Sequence, residues 1–230
     1  MKAVILCGGF GSRLRNVIGE TQKAIAEVDG KPFLHIVVDR LSTAGFNELI
    51  FCTHYQSGQV EMALAELGED VKKRATILRE QEPMGTGGAI LNAMKVLEMR
   101  GEFIALNADT YVTEEAYRLA REAITPSLIV REVEDCARYG AVRLDVSGRV
   151  LEMTEKGVSG PGCISMGIYH FHTDHLTCFP ITACSLEKDI LPHLIQSEQL
   201  KGVRYSGDFI DIGTPESLAT IRKKGLNTFS

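Results

Sequence analysis

The chain of 230 residues sets 25 Lys and Arg against 30 Asp and Glu, a formal net charge of −5. That balance gives no general basic field for nucleic acid or an anionic membrane, so any affinity for phosphate is local. Hydrophobic content of 44% is that of a globular protein, no apolar run approaches membrane-spanning length, and 230 residues suit one α/β domain with a substantial core. The apolar run after Met1-Lys2 is too short for a secretory leader and runs into glycines, which predicts a cytoplasmic protein. The cysteines at 7, 52, 136, 163, 178 and 184 form no C-x-x-C pair, so reduced thiols are expected.

An apolar run over 3–7 predicts a buried first strand, delivered straight into Gly8-Gly9-Phe10-Gly11-Ser12-Arg13-Leu14. Glycine lets backbone N–H groups approach a polyanion where a Cβ would intervene, and Arg13 adds a forked, permanently charged donor set for phosphate oxygens. The stretch reads as a loop for a triphosphate, with an ordinary tight turn as the alternative for the pattern taken alone. Two commoner phosphate motifs are absent. A dinucleotide fingerprint needs glycine where Leu14 stands, which argues against a nicotinamide dehydrogenase, and the chain lacks the Gly-Lys-Ser/Thr end of a P-loop.

After a polar stretch and Lys23, a short strand and turn occupy 25–30. Pro32 opens an amphipathic helix to about 42, with Phe33, Ile36, Val37 and Leu41 inward and Gly45 as cap. A buried strand at 48–53, a helix at 59–67, a strand at 75–78 and a helix at 87–97 follow. The strand at 102–106 stops at Asn107-Ala108-Asp109. Ligands of open α/β sheets bind beyond the carboxyl ends of strands, which brings Asp109 toward the glycine loop.

From 127 strands succeed one another at 127–133, 140–144 and 149–154, with Asp145-Val146-Ser147-Gly148 as a hairpin signal. A strand at 163–171, a helix from Ser185 to Ile195, and strands near 203 and at 209–212 come next. Thr214 caps the last helix and Pro215 occupies its first position. The pattern predicts an α/β fold with a Rossmann-like, mixed, mostly parallel sheet flanked by helices and a small antiparallel acceptor-binding region.

Asp109, at the end of a buried strand, is well placed to hold Mg²⁺ against phosphate oxygens, the alternative being a helix-capping aspartate. Asp211 lies between Ile210 and Ile212, which share the opposite strand face, so its carboxylate is expected to be paired or on a metal. Lys23 and Lys156 are candidate phosphate partners and Glu155 a candidate acceptor for hydroxyls, though such residues are usually solvated charges. His170, His172 and His175 have H-x-H-x-x-H spacing; strand histidines are commonly structural, with a metal site as the lesser reading. No Ser/His/Asp or Cys/His arrangement is apparent, which suits phosphoryl or nucleotidyl transfer without a covalent intermediate.

These residues resemble the sugar-1-phosphate nucleotidyltransferases over nearly the whole chain. The segment from Leu6 through Gly8, Gly9, Gly11, Ser12 and Arg13 resembles the family's nucleotide-binding signature, and Lys23 its second basic residue. Glu82-Pro83-Met84-Gly85-Thr86-Gly87-Gly88-Ala89 is similar to the base-contacting segment, and Asn107-Ala108-Asp109 to the metal motif. Tyr139-Gly140-Ala141-Val142, Glu155-Lys156, Gly167-Ile168-Tyr169 and Phe209 to Pro215 follow in the family's order.

The resemblance implies a nucleotide-diphospho-sugar transferase fold in one domain over 1–230, with a nucleotide-binding part to about 125 and a sugar-phosphate-binding part beyond it. It implies a Mg²⁺-dependent reaction in which a sugar 1-phosphate attacks the α-phosphorus of an NTP and releases pyrophosphate. Asp109 and Asp211 would hold the metal, Arg13 and Lys23 would neutralise phosphate charge, and Lys156 would hold the sugar phosphate. Asn107, Tyr139, Gly140, Glu155, Ser165 and Gly167 would surround the sugar, while Gly85 and Thr86 would meet the base. A homodimer is also implied, and no second activity is expected after this domain.

Within the family the chain is most similar to guanylyltransferases of a manno-configured heptose 1-phosphate. Glu80 agrees, because a carboxylate can accept from guanine N1–H and N2–H₂. GTP is thus the favoured donor; mannose 1-phosphate or another NTP and sugar 1-phosphate are the alternatives. Three positions depart from the family pattern. Gln22 replaces a proline, predicting a less rigid loop ahead of Lys23; Ala108 replaces a glycine; and Ser165 stands where an asparagine often meets the sugar. They motivate a reading of another class, a non-catalytic nucleotide or sugar-phosphate sensor.

Overall fold

The computed structural model describes residues 1–154, 157 and 159–225. The chain forms two compact units: one of Met1–Pro83, Leu106–Tyr117 and Gly207–Ser230, the other of Met84–Ala105 and Arg118–Ser206.

The first unit begins with β1 (Lys2–Leu6), whose Ala3, Val4 and Ile5 are fully buried. Each branched side chain removed from water in this way contributes roughly 1.5–3 kcal/mol, which anchors the strand ahead of the glycine loop. A 3₁₀ turn over Ser12–Leu14 and the single-turn α1 (Arg15–Ile18) follow, with Leu14 fully buried beneath them. After a second 3₁₀ turn at Lys23–Ile25, β2 (Glu27–Val28) and β3 (Lys31–Pro32) form a small antiparallel pair.

Helix α2 (Phe33–Thr43) buries the four side chains expected from its spacing, together with Leu34 and Val38. Gly45 ends it at φ 86, where the Phe46 N–H reaches back to the Leu41 carbonyl at 3.1 Å and the Gly45 N–H to Ser42 at 3.0 Å. This is the left-handed glycine closure that satisfies the last carbonyls of a helix. Then come β4 (Glu48–Thr53), α3 (Ser57–Ala65), α4 (Glu69–Arg74) and β5 (Ala75–Arg79). Strand β4 pairs parallel with both β1 and β5. Helix α4 has no buried residue, so no apolar period announces it.

In the second unit, α5 (Gly85–Val96) precedes β6 (Glu102–Asn107), whose last two residues belong to the first unit together with β7 (Thr110–Val112). Helix α6 (Glu114–Glu122) leads back to the second unit. There β8 (Ser127–Val133), β9 (Ala141–Leu144), β10 (Val150–Met153) and β11 (Gly162–His172) assemble antiparallel, β11 lying against β8 and β9, and β9 against β10. The β9–β10 turn is the expected one. The Asp145 carboxylate accepts from the N–H groups of Ser147 and Arg149 at 2.8 and 2.9 Å, while Gly148 takes φ 80. The Ser147 hydroxyl, and then these backbone bonds, hold the Asp145 carboxyl well below the usual carboxylate range.

The helix expected from Ser185 divides into a π-helical turn, Leu186–Ile190, and α7 (Leu191–Gln196). Strand β12 (Lys201–Arg204) runs parallel to β8. The chain then returns to the first unit, where β13 (Phe209–Asp211) pairs antiparallel with β7 and α8 (Pro215–Lys224) closes the described chain. As expected, Thr214 caps α8: its hydroxyl accepts from the Ser217 N–H and the Ser217 hydroxyl accepts from the Thr214 N–H, both at 3.3 Å. None of the six cysteines forms a disulfide. Among the described residues, no helix is long and apolar enough to cross a membrane.

Candidate active site

The glycine loop and the aspartate motif meet within the first unit. Ala108 donates its N–H to the carbonyl of Leu6 at 3.3 Å, so the turn after β6 lies against the exit of β1. Ala108 is 2% exposed; the methyl that replaces the family's glycine is packed inside. A Cβ placed on Gly8 would reach no heavy atom nearer than His54 at 3.6 Å, and one on Gly9 would meet nothing within 4 Å. The protein itself therefore leaves the space above Gly9 open, while a side chain on Gly8 would stand in ordinary contact with His54 and the Glu80 carboxylate. Gly11, at φ 59, supports the turn that carries exposed Ser12 and Arg13.

Asp109, Asp211 and Lys23 come together around Gly213. The ammonium of Lys23 is ion-paired with the Asp109 carboxylate, both side chains being about four-fifths buried. Pairing of β13 with β7 sets Asp211 opposite Thr110, and the Ile212 N–H donates to the Asp109 carbonyl at 2.9 Å. The Gly213 N–H donates to Asp211 Oδ1 at 2.6 Å. A Cβ on Gly213 would stand 2.6 Å from that oxygen and 3.3 Å from Lys23 Nζ. Two carboxylates and an ammonium thus share one place, and a side chain at 213 would have to displace the Asp211 carboxylate and crowd the Lys23 ammonium.

The cluster suits the implied Mg²⁺. Carboxylate oxygens are the hard donors the ion prefers, and Mg²⁺ commonly takes one or two of them together with water and substrate phosphates. Among the described residues there is no grouping of three or more Asp, Glu, His and Cys that would instead form an all-protein cage.

The expectation that Gln22 loosens the approach to Lys23 is not met. Gln22 is 2% exposed, and its side-chain amide donates to the Cys7 carbonyl while its Oε1 accepts the Ala24 N–H at 2.6 Å. Its own N–H donates to Gln59 Oε1 at 2.8 Å. A proline would fix φ; glutamine fixes the same turn with hydrogen bonds. Because the amide is tied to Cys7, the glycine loop and Lys23 are held by one side chain. Burial, then the neighbouring Cys52 and Asp109, push the Cys7 thiol well up, so it is a packing residue rather than a nucleophile.

Glu80 is 8% exposed, and its N–H continues the β-ladder to the Thr53 carbonyl at 2.8 Å. Its carboxylate oxygen would lie 3.9 Å from a Cβ on Gly8. Asn107 ends β6, partly buried, directly before Ala108.

In the second unit, Gly85 and Thr86 start α5. The glycines here have a different cause from those of the first loop. A Cβ on Gly85 or Gly88 would stand 2.5 Å from the carbonyl of Cys184 or Thr182, and one on Gly87 2.8 Å from the Cys184 sulfur. They exist so that the segment before the π-helical turn can lie directly on the helix start. The Thr86 hydroxyl accepts the Leu186 N–H at 2.8 Å and donates to Glu187 Oε2 at 2.9 Å. Tyr139 and Gly140 precede β9, and a Cβ on Gly140 would stand 2.4 Å from the Thr154 carbonyl. Ser165 and Gly167 lie on β11, joined by a 3.2 Å bond from the Gly167 N–H to the Ser165 hydroxyl. Glu155 and Lys156 fall outside the described residues.

The three histidines do not converge on a metal. His170 is buried, its Nδ1 bonding the Ala123 carbonyl at 3.0 Å; the His172 side chain caps the next turn at the Asp174 N–H, and His175 Nδ1 accepts the His172 N–H. Their roles are structural. Two residues to which the sequence reading gives no role of their own do stand out. Glu187 and Tyr169 lie between Thr86 and Ser165; Tyr169 is read in sequence only as the end of the segment Gly167-Ile168-Tyr169, and Glu187 belongs to no recognisable chemical spacing.

The nucleotidyl transferase family model matches residues 2–228. The chain belongs to the nucleotidyl transferase family, which bears out the resemblance read from the motifs. It is 30% identical over 216 residues to the D-glycero-alpha-D-manno-heptose 1-phosphate guanylyltransferase of Campylobacter jejuni, covering 94% of this chain and 96% of that protein. The mannose-1-phosphate guanylyltransferase catalytic subunit beta of Xenopus tropicalis is 32% identical over 227 residues, covering 96% of this chain and 63% of the longer relative. Among solved structures, HddC from Yersinia pseudotuberculosis superposes with a TM-score of 0.84 at 32% identity, covering 97% and 98% of the two chains. The same protein has been solved complexed with GMP-PN. The mixed, mostly parallel sheet with flanking helices and small antiparallel sheets is accordingly the fold of this chain.

Proposed function

We propose that the protein transfers GMP from GTP to D-glycero-α-D-manno-heptose 1-phosphate, forming GDP-heptose and pyrophosphate. The observation that carries this reading is the meeting of Lys23, Asp109 and Asp211 around Gly213, beside a glycine loop with open space over Gly9. Nucleotidyl transfer needs positioned positive charge rather than a nucleophilic side chain, because the attacking sugar phosphate is already an anion.

Asp109 and Asp211 would hold Mg²⁺. When bound, the ion supplies charge neutralisation to the triphosphate and polarises the α-phosphorus. The N–H groups of Gly8, Gly9 and Gly11 would cradle phosphate oxygens, and Arg13 would offset charge on the leaving pyrophosphate. Lys23, already drawn to the carboxylates, would stabilise charge developing at the α-phosphate. Glu80 supports guanine as the base, since its carboxylate can accept two ring donors. Gly85 and Thr86 would contribute backbone contacts, the Thr86 hydroxyl being committed within the protein.

On the acceptor side, Asn107, Tyr139, Gly140, Ser165 and Gly167 would meet the sugar, with Glu155 accepting from its hydroxyls and Lys156 holding its phosphate. The heptose is favoured by the Campylobacter relative, 96% of which the match covers; the Xenopus relative motivates mannose 1-phosphate as the second reading. Pyrophosphate release, with GTP, UTP, CTP and dTTP each set against heptose and hexose 1-phosphates, tests the assignment. Release confined to GTP and the heptose supports it, GTP with mannose 1-phosphate moves the acceptor, and binding without release from any pair supports the sensor.

A further inference from the structure

A continuous hydrogen-bonded chain runs through the second unit from the helix start that carries Thr86 to the strand that carries Ser165. The Glu187 carboxylate is its centre. Oε2 accepts from the Thr86 hydroxyl at 2.9 Å and the Ser185 hydroxyl at 3.1 Å, while Oε1 accepts from the Tyr169 hydroxyl at 3.3 Å. The Tyr169 oxygen in turn accepts from the Ser165 hydroxyl at 3.4 Å, and the Ser165 oxygen accepts the Gly167 N–H at 3.2 Å.

The direction of every proton in this chain follows from one group. A carboxylate only accepts, so Thr86 and Tyr169 must donate to it. Tyr169, having spent its proton, accepts from Ser165. Ser165 then has no proton to offer outward, and with one lone pair taken by Gly167 it presents a single acceptor site. Tyr169 is 1% exposed, and burial followed by the Glu187 charge pushes its phenol far above the usual range, so the proton stays on.

We infer that Glu187 is a positioning residue that sets Ser165 as a fixed hydrogen-bond acceptor for a hydroxyl of the sugar phosphate, and at the same time orients Thr86 at the nucleotide end of the same chain. The inference rests on the functional reading above and deepens it. Specificity comes from polarity: an acceptor held without its own proton favours a sugar hydroxyl in the orientation that donates and disfavours an acceptor analogue with an ether or deoxy position there. A serine can thus do at this position what a longer amide would do elsewhere, because Glu187 removes its freedom to rotate.

The two arms can be separated. Tyr169→Phe cuts only the arm to Ser165 and keeps the ring in the core. It is expected to raise the Kd and KM for heptose 1-phosphate about tenfold, the usual cost of about 1.4 kcal/mol for one lost hydrogen-bonded contact, and to leave those for GTP within twofold. Glu187→Gln keeps one acceptor oxygen and replaces the other by a donor, so it is expected to weaken at least one of the two ligands, with Glu187→Asp restoring part of the loss. Calorimetric titration of GTP and of heptose 1-phosphate into the wild type and the three variants, alongside steady-state turnover and melting temperature, provides the readout. Folded variants that bind both ligands as the wild type does, or that lose only kcat, overturn the inference. A wild type that binds heptose 1-phosphate while the variants bind it equally well overturns this inference alone; a wild type that binds no sugar 1-phosphate overturns the functional reading and this inference with it.

Discussion

Lys23 and Asp109 form an ion pair, and the backbone of Gly213 ties Asp211 to the same place. Because the ammonium and the carboxylates compete for each other and for a triphosphate and its ion, removing any one changes the charge that the substrate meets. Lys23→Ala is expected to lower kcat by about 10²–10³, the range for losing a single charge-stabilising donor at a reacting centre. Unchanged turnover would remove Lys23 from the reacting site.

Gln22 gives the most direct test of how Lys23 is placed. Gln22→Ala removes two buried side-chain bonds, to Cys7 and Ala24, and leaves the Cys7 carbonyl unsatisfied. A loss of about 2 kcal/mol, roughly 4–8 °C in Tm, is expected, with kcat reduced because the glycine loop and Lys23 lose their common tie. A melting curve that does not move contradicts this account of the turn.

The two groups of glycines should respond in opposite ways. Gly88→Ala forces a methyl to within 2.5 Å of the Thr182 carbonyl and should cost stability, by about 1–3 kcal/mol as for other overpacked sites. Gly9→Ala enters open space, so Tm should hold while the KM for GTP rises. Thermal melts and nucleotide titrations of the pair check both halves.

Burial lowers the His170 pKa, with His175 adding to the effect and Glu102, 3.7 Å from Nε2, opposing it. The unfolded chain therefore takes up this proton first. Stability from His170 is complete above the ordinary histidine value near 6.5 and is lost as pH falls through it toward the lower folded value. Replacing His170 by Asn keeps a donor for the Ala123 carbonyl and should flatten the fall in Tm between about pH 7 and 5; an identical pH profile contradicts the assignment.

The first strand, the helix ending at Gly45, the Asp145 turn and the Thr214 cap were legible because each is written in local chemistry: an apolar run, a left-handed glycine, an Asx turn, a threonine before proline. Asp109 was legible as a carboxylate at a strand end, and Asp211 as one on the strand face opposite Ile210 and Ile212. Their joining depends on β13 returning to β7 from about a hundred residues away, a pairing no local pattern contains. Gln22 was read through the proline it replaces, whereas its effect comes from Cys7 and Gln59, distant in sequence. Helix α4 has no apolar stripe, and the π-helical turn before α7 lies over glycines read for their place in a base-contacting segment. Glu187 was silent because its partners are spread from Thr86 to Ser185.

If Asp109 and Asp211 serve one reaction, pyrophosphate release from GTP and D-glycero-α-D-manno-heptose 1-phosphate in Mg²⁺ separates the wild type from Asp211→Asn. Release by the wild type and a fall of at least about 10²-fold in the variant are expected, with the melting temperature nearly unchanged. Equal rates for the two proteins would contradict that shared role.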